Sequence, residues 1–427
     1  MKSNIYSIPN IFISVLFFLI SFTNLNAQTE DLLADISNEM EHYNEVATVT
    51  KTNEHYQPYV ISTFSGKDLE KLGIVNLEEA LSLVPGVDMA TDNTEVKTPI
   101  FRGSNPQAYG QSKLFIDGVP ANNLFFDSYS EHLKMPVEMI KRIEVVRGPG
   151  SKNNGYNAYA GSINVITYAE DIDGFGDGDS LVAKYGSYKY GMLGFVKSYK
   201  LDDDFRLTTD FYYQQDNKAL QSGLDGYGNG YAAAYAFDNK WIGVSGKTFM
   251  WSVTYSLRVT LDFKNNFYAK LRLLDHTQAS GRGINLHITD DKNSRMKQPN
   301  HYLELGYIDS IGDFGINING GVKYDAFDSS AQLAPDGTRL FDYPLYLAYL
   351  AAGDAANATA TYLTATTYPD GVRGIAIAKQ LTYYQSSFLE YDEIENHNIN
   401  LGYRVSEEKT TDSIHKLTTY TKRKTEV

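Results

Sequence analysis

The chain has 427 residues, 52 acidic against 38 basic side chains for a net charge of −14, and no cysteine. The acidic balance argues against nucleic acid as a partner, which a basic face would attract. The lack of cysteine excludes disulfide staples, thiol nucleophiles and thiolate metal sites.

Residues 1–27 read as a signal peptide: Lys2 comes first, the apolar run Ile11 to Phe22 follows, and Ala27 stands before Gln28. That run falls short of the ~20 residues a helix needs to cross a bilayer. A chain exported this way, with no later apolar helix, is expected in the periplasm or as a barrel. Residues 28–57 are polar and acidic, with one β-prone island from Val46 to Thr50, and are expected to be a mobile segment.

Residues 58–168 read as an α+β domain. Tyr59–Thr63 is a short strand. Ser65 with Asp68 and Asn76 with Glu79 are helix-start signatures. Leu77, Ala80, Leu81 and Val84 share one helical face, and Pro85-Gly86 stops that helix. Short strands are then expected at Leu114–Val119, Ile140–Val146 and Gly161–Thr167, with Asp117-Gly118 as a hairpin turn.

Residues 169–427 carry strands of a different kind. From Phe249 to Phe263 every odd position is apolar, and every even position after Met250 is polar. Side chains on a strand alternate between two faces, so one face is greasy and the other wet. A soluble β-sandwich alternates too, but its strands are typically ~5–6 residues. The length here suits a tilted membrane strand of ~9–11 residues. Similar alternation runs through Phe205–Gln214, Phe267–Leu273, Phe314–Asp325 and Ile399–Val405. Roughly ten strands are expected, with short turns alternating with long loops, one of them at 329–380. The 33 tyrosines fit aromatic girdles at membrane interfaces.

Several segments then fall in a telling order: Leu83-Val-Pro-Gly-Val87, Phe101-Arg-Gly103, Leu114-Phe-Ile-Asp-Gly-Val-Pro120, Ile143-Glu-Val-Val-Arg-Gly-Pro-Gly150 and Gly155–Thr167. Together they resemble the plug domain of TonB-dependent outer-membrane receptors, closely over residues 45–168. The later strands resemble the family by pattern alone. The resemblance implies an α+β plug followed by an antiparallel transmembrane β-barrel. The family barrel has 22 strands, so the chain is expected to hold about half of one, as a truncated product or gene fragment. An open sheet with a plug on it is the expected form.

The same resemblance implies roles for particular residues. Glu45, Val46, Ala47, Thr48, Val49 and Thr50 are similar to the TonB box, which would add as a strand to the inner-membrane partner TonB; the lesser alternative is a first plug strand. Arg102 and Arg147, each before a glycine, read alone as surface arginines that pair with a carboxylate. The resemblance implies that they pair with lumen-facing glutamates, for which Glu304 and Glu390 are the candidates. Apical loops 89–99, 104–112 and 122–131 carry Tyr109, Gln111, Phe125, Phe126 and Tyr129, which either face a ligand or pack on the wall.

Energy-coupled uptake of a scarce nutrient is the implied function, with an iron chelate such as a ferric siderophore as cargo and outer-membrane lipid around the barrel. Cobalamin or another nutrient is the alternative within the family. A non-functional fragment and a passive porin or adhesin stay open beside it. Asp117 has no histidine or second carboxylate at a useful spacing. No nucleophile–base pair or metal spacing occurs, so no catalytic, metal or cofactor site is expected.

Overall fold

A computed structural model describes residues 60–91, 97–104, 111–123, 127–148, 158–170, 179–202, 204–217, 251–264, 266–279, 294–334, 338–340, 343–363, 366–368, 372–391 and 399–419. The island at residues 45–50, Tyr109, Phe125 and Phe126 lie outside them.

The N-terminal domain begins with β1 (Val60–Ser65), α1 (Gly66–Lys71) and α2 (Leu77–Ser82). Ser65 caps α1 by accepting from the Asp68 amide. Asn76 caps α2 through the Glu79 amide at 3.0 Å, while the Glu79 carboxylate accepts from the Val75 amide at 2.9 Å. Such reciprocal caps satisfy amides that the first helical turn leaves free. Leu77, Ala80, Leu81 and Val84 are all buried. The hairpin β2 (Val87–Thr91) and β3 (Lys97–Phe101) follows. Then come β4 (Ser112–Ile116), β5 (Val119–Pro120), β6 (Ile140–Arg147) and β7 (Gly161–Thr167).

The order β1-β6-β7-β4-β5 makes one five-stranded sheet, with β4 and β7 parallel. At the β4–β5 turn Asp117 and Gly118 have φ of +54° and +79°. This is the left-handed pair that a tight hairpin demands, and Asp and Gly tolerate it best. Leu69, Leu114, Ile116, Leu133, Ile143 and Ile163 centre an apolar core.

The second region is a wall of nine strands in unbroken chain order. They are β8 (Ser180–Tyr185), β9 (Gly191–Lys200), β10 (Phe205–Asp216), β11 (Ser252–Phe263), β12 (Phe267–Ala279), β13 (Arg295–Ile311), β14 (Phe314–Ala334), β17 (Val372–Tyr391) and β18 (Ile399–Thr419). Every neighbour pair is antiparallel. Among the described residues no ladder joins β8 to β18, so the wall is an open part of a barrel.

The expected loop at 329–380 is largely structured. β14 and β17 extend into it, and it holds a small hairpin of β15 (Thr338–Leu340) and β16 (Thr366–Tyr368) beside α3 (Tyr343–Ala351) and α4 (Ala355–Leu363). Leu and Ala favour those helices, and Pro344 sits in the first turn of α3, where proline costs no helical bond. Gly353, at φ +73°, ends α3, and the Asp354 carboxylate caps α4 through the Asn357 amide. Among the described residues no helix is long and apolar enough to cross a membrane, which does not bear on strands.

The wall is inside out by the rules of a soluble sheet. On β11 Ser252, Thr254, Ser256, Arg258, Thr260 and Asp262 are buried, whereas Val253, Tyr255, Leu257, Val259, Leu261 and Phe263 are less so. Leu273, Leu303, Leu305, Phe314, Ile318, Leu401 and Tyr403 are exposed on the outer face of their strands. An apolar face of this size in water would be an aggregation or binding surface. Facing lipid, it needs no partner. The polar face looks onto the N-terminal domain.

Candidate functional site

The seam between the N-terminal domain and the wall gathers the densest buried polar chemistry among the described residues. Register places it. Asp210, Arg258, Arg272, Tyr302 and Lys323 are successive cross-strand partners on β10 to β14, forming one row. One step along the strands, Thr260, Lys270, Glu304, Gly321 and Tyr384 form another.

Three side chains of the wall grip the β4–β5 hairpin by its backbone. Lys270 donates to the Asp117 carbonyl at 3.1 Å. Asn300 donates to the Ala121 carbonyl at 3.2 Å. Lys323 donates to the Asn122 carbonyl. Carboxylates complete the grip: Lys270 meets Glu170 at 2.5 Å and Lys323 meets Asp325 at 3.2 Å. Further contacts run from Gln298 to Ser130 at 3.4 Å and between Lys184 and Glu138.

Arg258 donates from Nε to both Asp210 oxygens at 2.9 and 2.8 Å, and its Nη1 lies 4.0 Å from Asp117 Oδ2. Asp117 is itself held by the Thr167 amide and hydroxyl at 2.8 and 2.9 Å. Charged groups buried this deeply cost several kcal/mol each unless paired. The pairing therefore makes the seam specific for one docked position rather than merely adhesive.

Two adjacent residues of the N-terminal domain reach the same seam. Burial, helped by the Asp325 carboxylate, pushes the Glu131 carboxyl up to about 7. Burial, reinforced by Arg272, Lys323 and Arg258, holds the His132 imidazole well below its usual range, so it is neutral.

The residues singled out from sequence lie differently. Arg102 and Arg147 do not pair with Glu304 or Glu390. Arg102 donates to the Arg147 carbonyl at 3.0 Å. Arg147 donates to the Pro85 carbonyl at 2.6 Å and to the Ser62 hydroxyl at 3.0 Å. The two arginines lie at the far ends of β3 and β6, and they fasten β1 and the α2–β2 turn within the domain. Glu304 is buried between the exposed Leu303 and Leu305, but its partner is the Tyr384 hydroxyl at 2.8 Å, within the wall. Glu390 is half-buried near the β17–β18 end.

Tyr129 is a core residue rather than a ligand-facing one: it is 4% exposed and bonds Ser112 at 2.7 Å. Gln111 is half-buried, and its carbonyl accepts from the Ala160 amide. The true wall contacts, Lys270, Asn300 and Lys323, were missed as individuals. Their signal was their place on the polar side of each alternating strand. Among the described residues no cluster of His, Asp and Glu suited to a metal occurs.

Residues 54–162 match the family model described as the TonB-dependent Receptor Plug Domain. The fold is similar to that of the FrpB iron transporter from Neisseria meningitidis in its apoprotein form. That likeness has a TM-score of 0.51 and 15% identity, over 82% of this chain and 48% of that one. It is also similar to the pyoverdine outer membrane receptor FpvA from Pseudomonas aeruginosa bound to pyoverdine, at a TM-score of 0.50 and 12% identity over 82% and 46%. The chain thus spans about half the length of these solved structures.

Proposed function

We propose that the chain, whose residues 54–162 match the TonB-dependent receptor plug domain and lie against an open wall of antiparallel strands, serves energy-coupled import across an outer membrane. The observation that carries this reading is the inside-out wall with a separately folded domain gripped on its polar face. A passive pore has no use for a folded domain seated there by backbone-directed lysines. An enzyme would need a nucleophile or an acid–base pair, and the seam's charges are instead spent on docking.

In this reading residues 45–50 are the strand lent to TonB, and an iron chelate is the cargo. Tyr109, Phe125 and Phe126 sit in segments suited to stacking on such a ligand. The signal peptide at residues 1–27 delivers the chain to the outer membrane.

Val46→Pro and Val49→Pro test the coupling. Proline removes a donor from the added strand. Each variant is expected to abolish energised uptake of a radiolabelled ferric chelate while leaving its binding to cells unchanged. Uptake at the unsubstituted level in both variants would overturn the coupling role.

A further inference from the structure

The wall holds one part of the plug at three points. Asn300 bonds the Ala121 carbonyl, Lys323 bonds the Asn122 carbonyl, and Gln298 reaches Ser130 at 3.4 Å. Glu131 stands beside the last of these. It is 1% exposed, and its Oε2 has no hydrogen-bond partner. Its carboxyl has Asn123 for a neighbour on the plug, and Asp325 and Lys323 on β14.

Lys323 is the cation acting on Glu131, and it is already taken. Its Nζ lies 3.2 Å from Asp325, whose Oδ1 also accepts from Asn300 at 2.6 Å. The other cations of the seam have carboxylates too. Arg258 faces Asp210 and Asp117, Lys270 faces Glu170, and Arg272 is shared by Asp117 and Asp325. On the plug side Asp127 is bonded to Lys113 at 2.6 Å. Neutral His132 directs its N–H at the Ala121 carbonyl and faces Arg272, Lys323 and Arg258. An ionised Glu131 would therefore lie buried beside Asp325 with no cation of its own, whereas a protonated one costs far less there.

We infer that Glu131 and Asp325 form a proton-held latch between plug and wall: the stretch Ser128–His132 stays seated while the Glu131 carboxyl keeps its proton, and it loosens when that proton leaves for water. Like charges across the seam then repel, and solvating the Glu131 carboxylate requires the stretch to lift off β14. The hold is present in full below the value Glu131 has in water and is lost as pH rises through about 7. The inference does not rest on import.

A single thiol supplies the test. The chain contains no cysteine, so Ser128→Cys places one probe on the held stretch, at a buried position. The full chain in phospholipid vesicles is treated with methyl methanethiosulfonate, with and without Glu131→Gln, and the ratio of the two rates removes the thiol's own ionisation. From about pH 6 to about pH 8 the rate with Glu131 should rise about tenfold relative to that with Gln, and fall back when the pH is returned. Asp325→Asn frees Lys323 for Glu131 and should cut that rise by at least half. A ratio that changes less than about twofold over this range, or an undiminished rise in Asp325→Asn, would overturn the latch. If Glu131→Gln fails to fold, Asp325→Asn decides alone: a smaller rise than in the protein with Asp325 supports the latch, and an equal rise refutes it.

Discussion

The plug and the wall are built from the same strand periodicity, yet they bury opposite faces. In the plug Leu114, Ile116, Ile143 and Ile163 point into an apolar core. In the wall Thr254, Ser256, Arg258 and Asp262 are the buried set, while Leu303 and Leu305 stand exposed. Alternation therefore says that a strand has two faces, and the surroundings decide which face is inside. In water the apolar face is buried. Against lipid the apolar face can stay outside, and the polar face then needs partners, which here are the plug's carbonyls and carboxylates.

The sharpest way to break the contrast is to disturb the wall's buried charges. Asp210→Ala leaves the Arg258 Nε without its acceptors. The expected loss is about 3–5 kcal/mol of folding stability in a urea titration, the cost of one uncompensated buried charge. A loss below about 1 kcal/mol, the scale of an exposed pair, would mean that the seam is wet and the wall not inside out.

Glu131 probes the plug side of the seam. Its carboxyl is raised to about 7 in the folded state. A group whose folded pKa lies above its unfolded value stabilises fully below the unfolded value, near 4.3, and loses that contribution as pH rises through about 7. Glu131→Gln cannot ionise, so unsubstituted protein should lose on the order of 3 kcal/mol relative to it between pH ~4.5 and ~8. His132 has the opposite sign: its contribution is present above the usual histidine range and fades as pH falls. The difference between the two proteins isolates Glu131, and parallel pH profiles would contradict its burial.

A smaller effect is expected where the plug behaves as an ordinary soluble domain. Asn76→Ala removes the α2 cap and should cost about 1 kcal/mol, read as a shifted urea midpoint of the plug transition. No shift would mean that α2 is held by packing alone.

These differences also explain what sequence made legible. The α2 caps and apolar face, the Asp117-Gly118 hairpin and the β6 and β7 strands were readable because each is a local signal. The wall was readable on β11, β12 and β14, where polar and apolar positions alternate. β9 was not, because Met192 and Val196 on its inner face are apolar and pack into the plug core. The seam was legible only as a face. No local pattern tells that Lys270 meets a carbonyl 153 positions away, or Lys323 one 201 away. The arginine–glutamate pairing failed for the same reason: it joined residues by type, whereas Arg102 and Arg147 found acceptors nearer, within the plug.

The central claim, that the wall's outer face meets lipid and the plug's surface meets water, comes down to one paired measurement. Leu72 on the plug is 68% exposed and Leu305 on the wall 60%. Each is replaced by lysine, and unfolding is followed by urea titration in phospholipid vesicles. Leu72→Lys should stay within about 0.5 kcal/mol of the unsubstituted protein, as exposed sites in water do. Leu305→Lys should lose about 2–4 kcal/mol, the cost of a cation on the lipid face of a barrel at mid-depth. Two equally neutral substitutions would contradict the account, because they would place Leu305, like Leu72, in water.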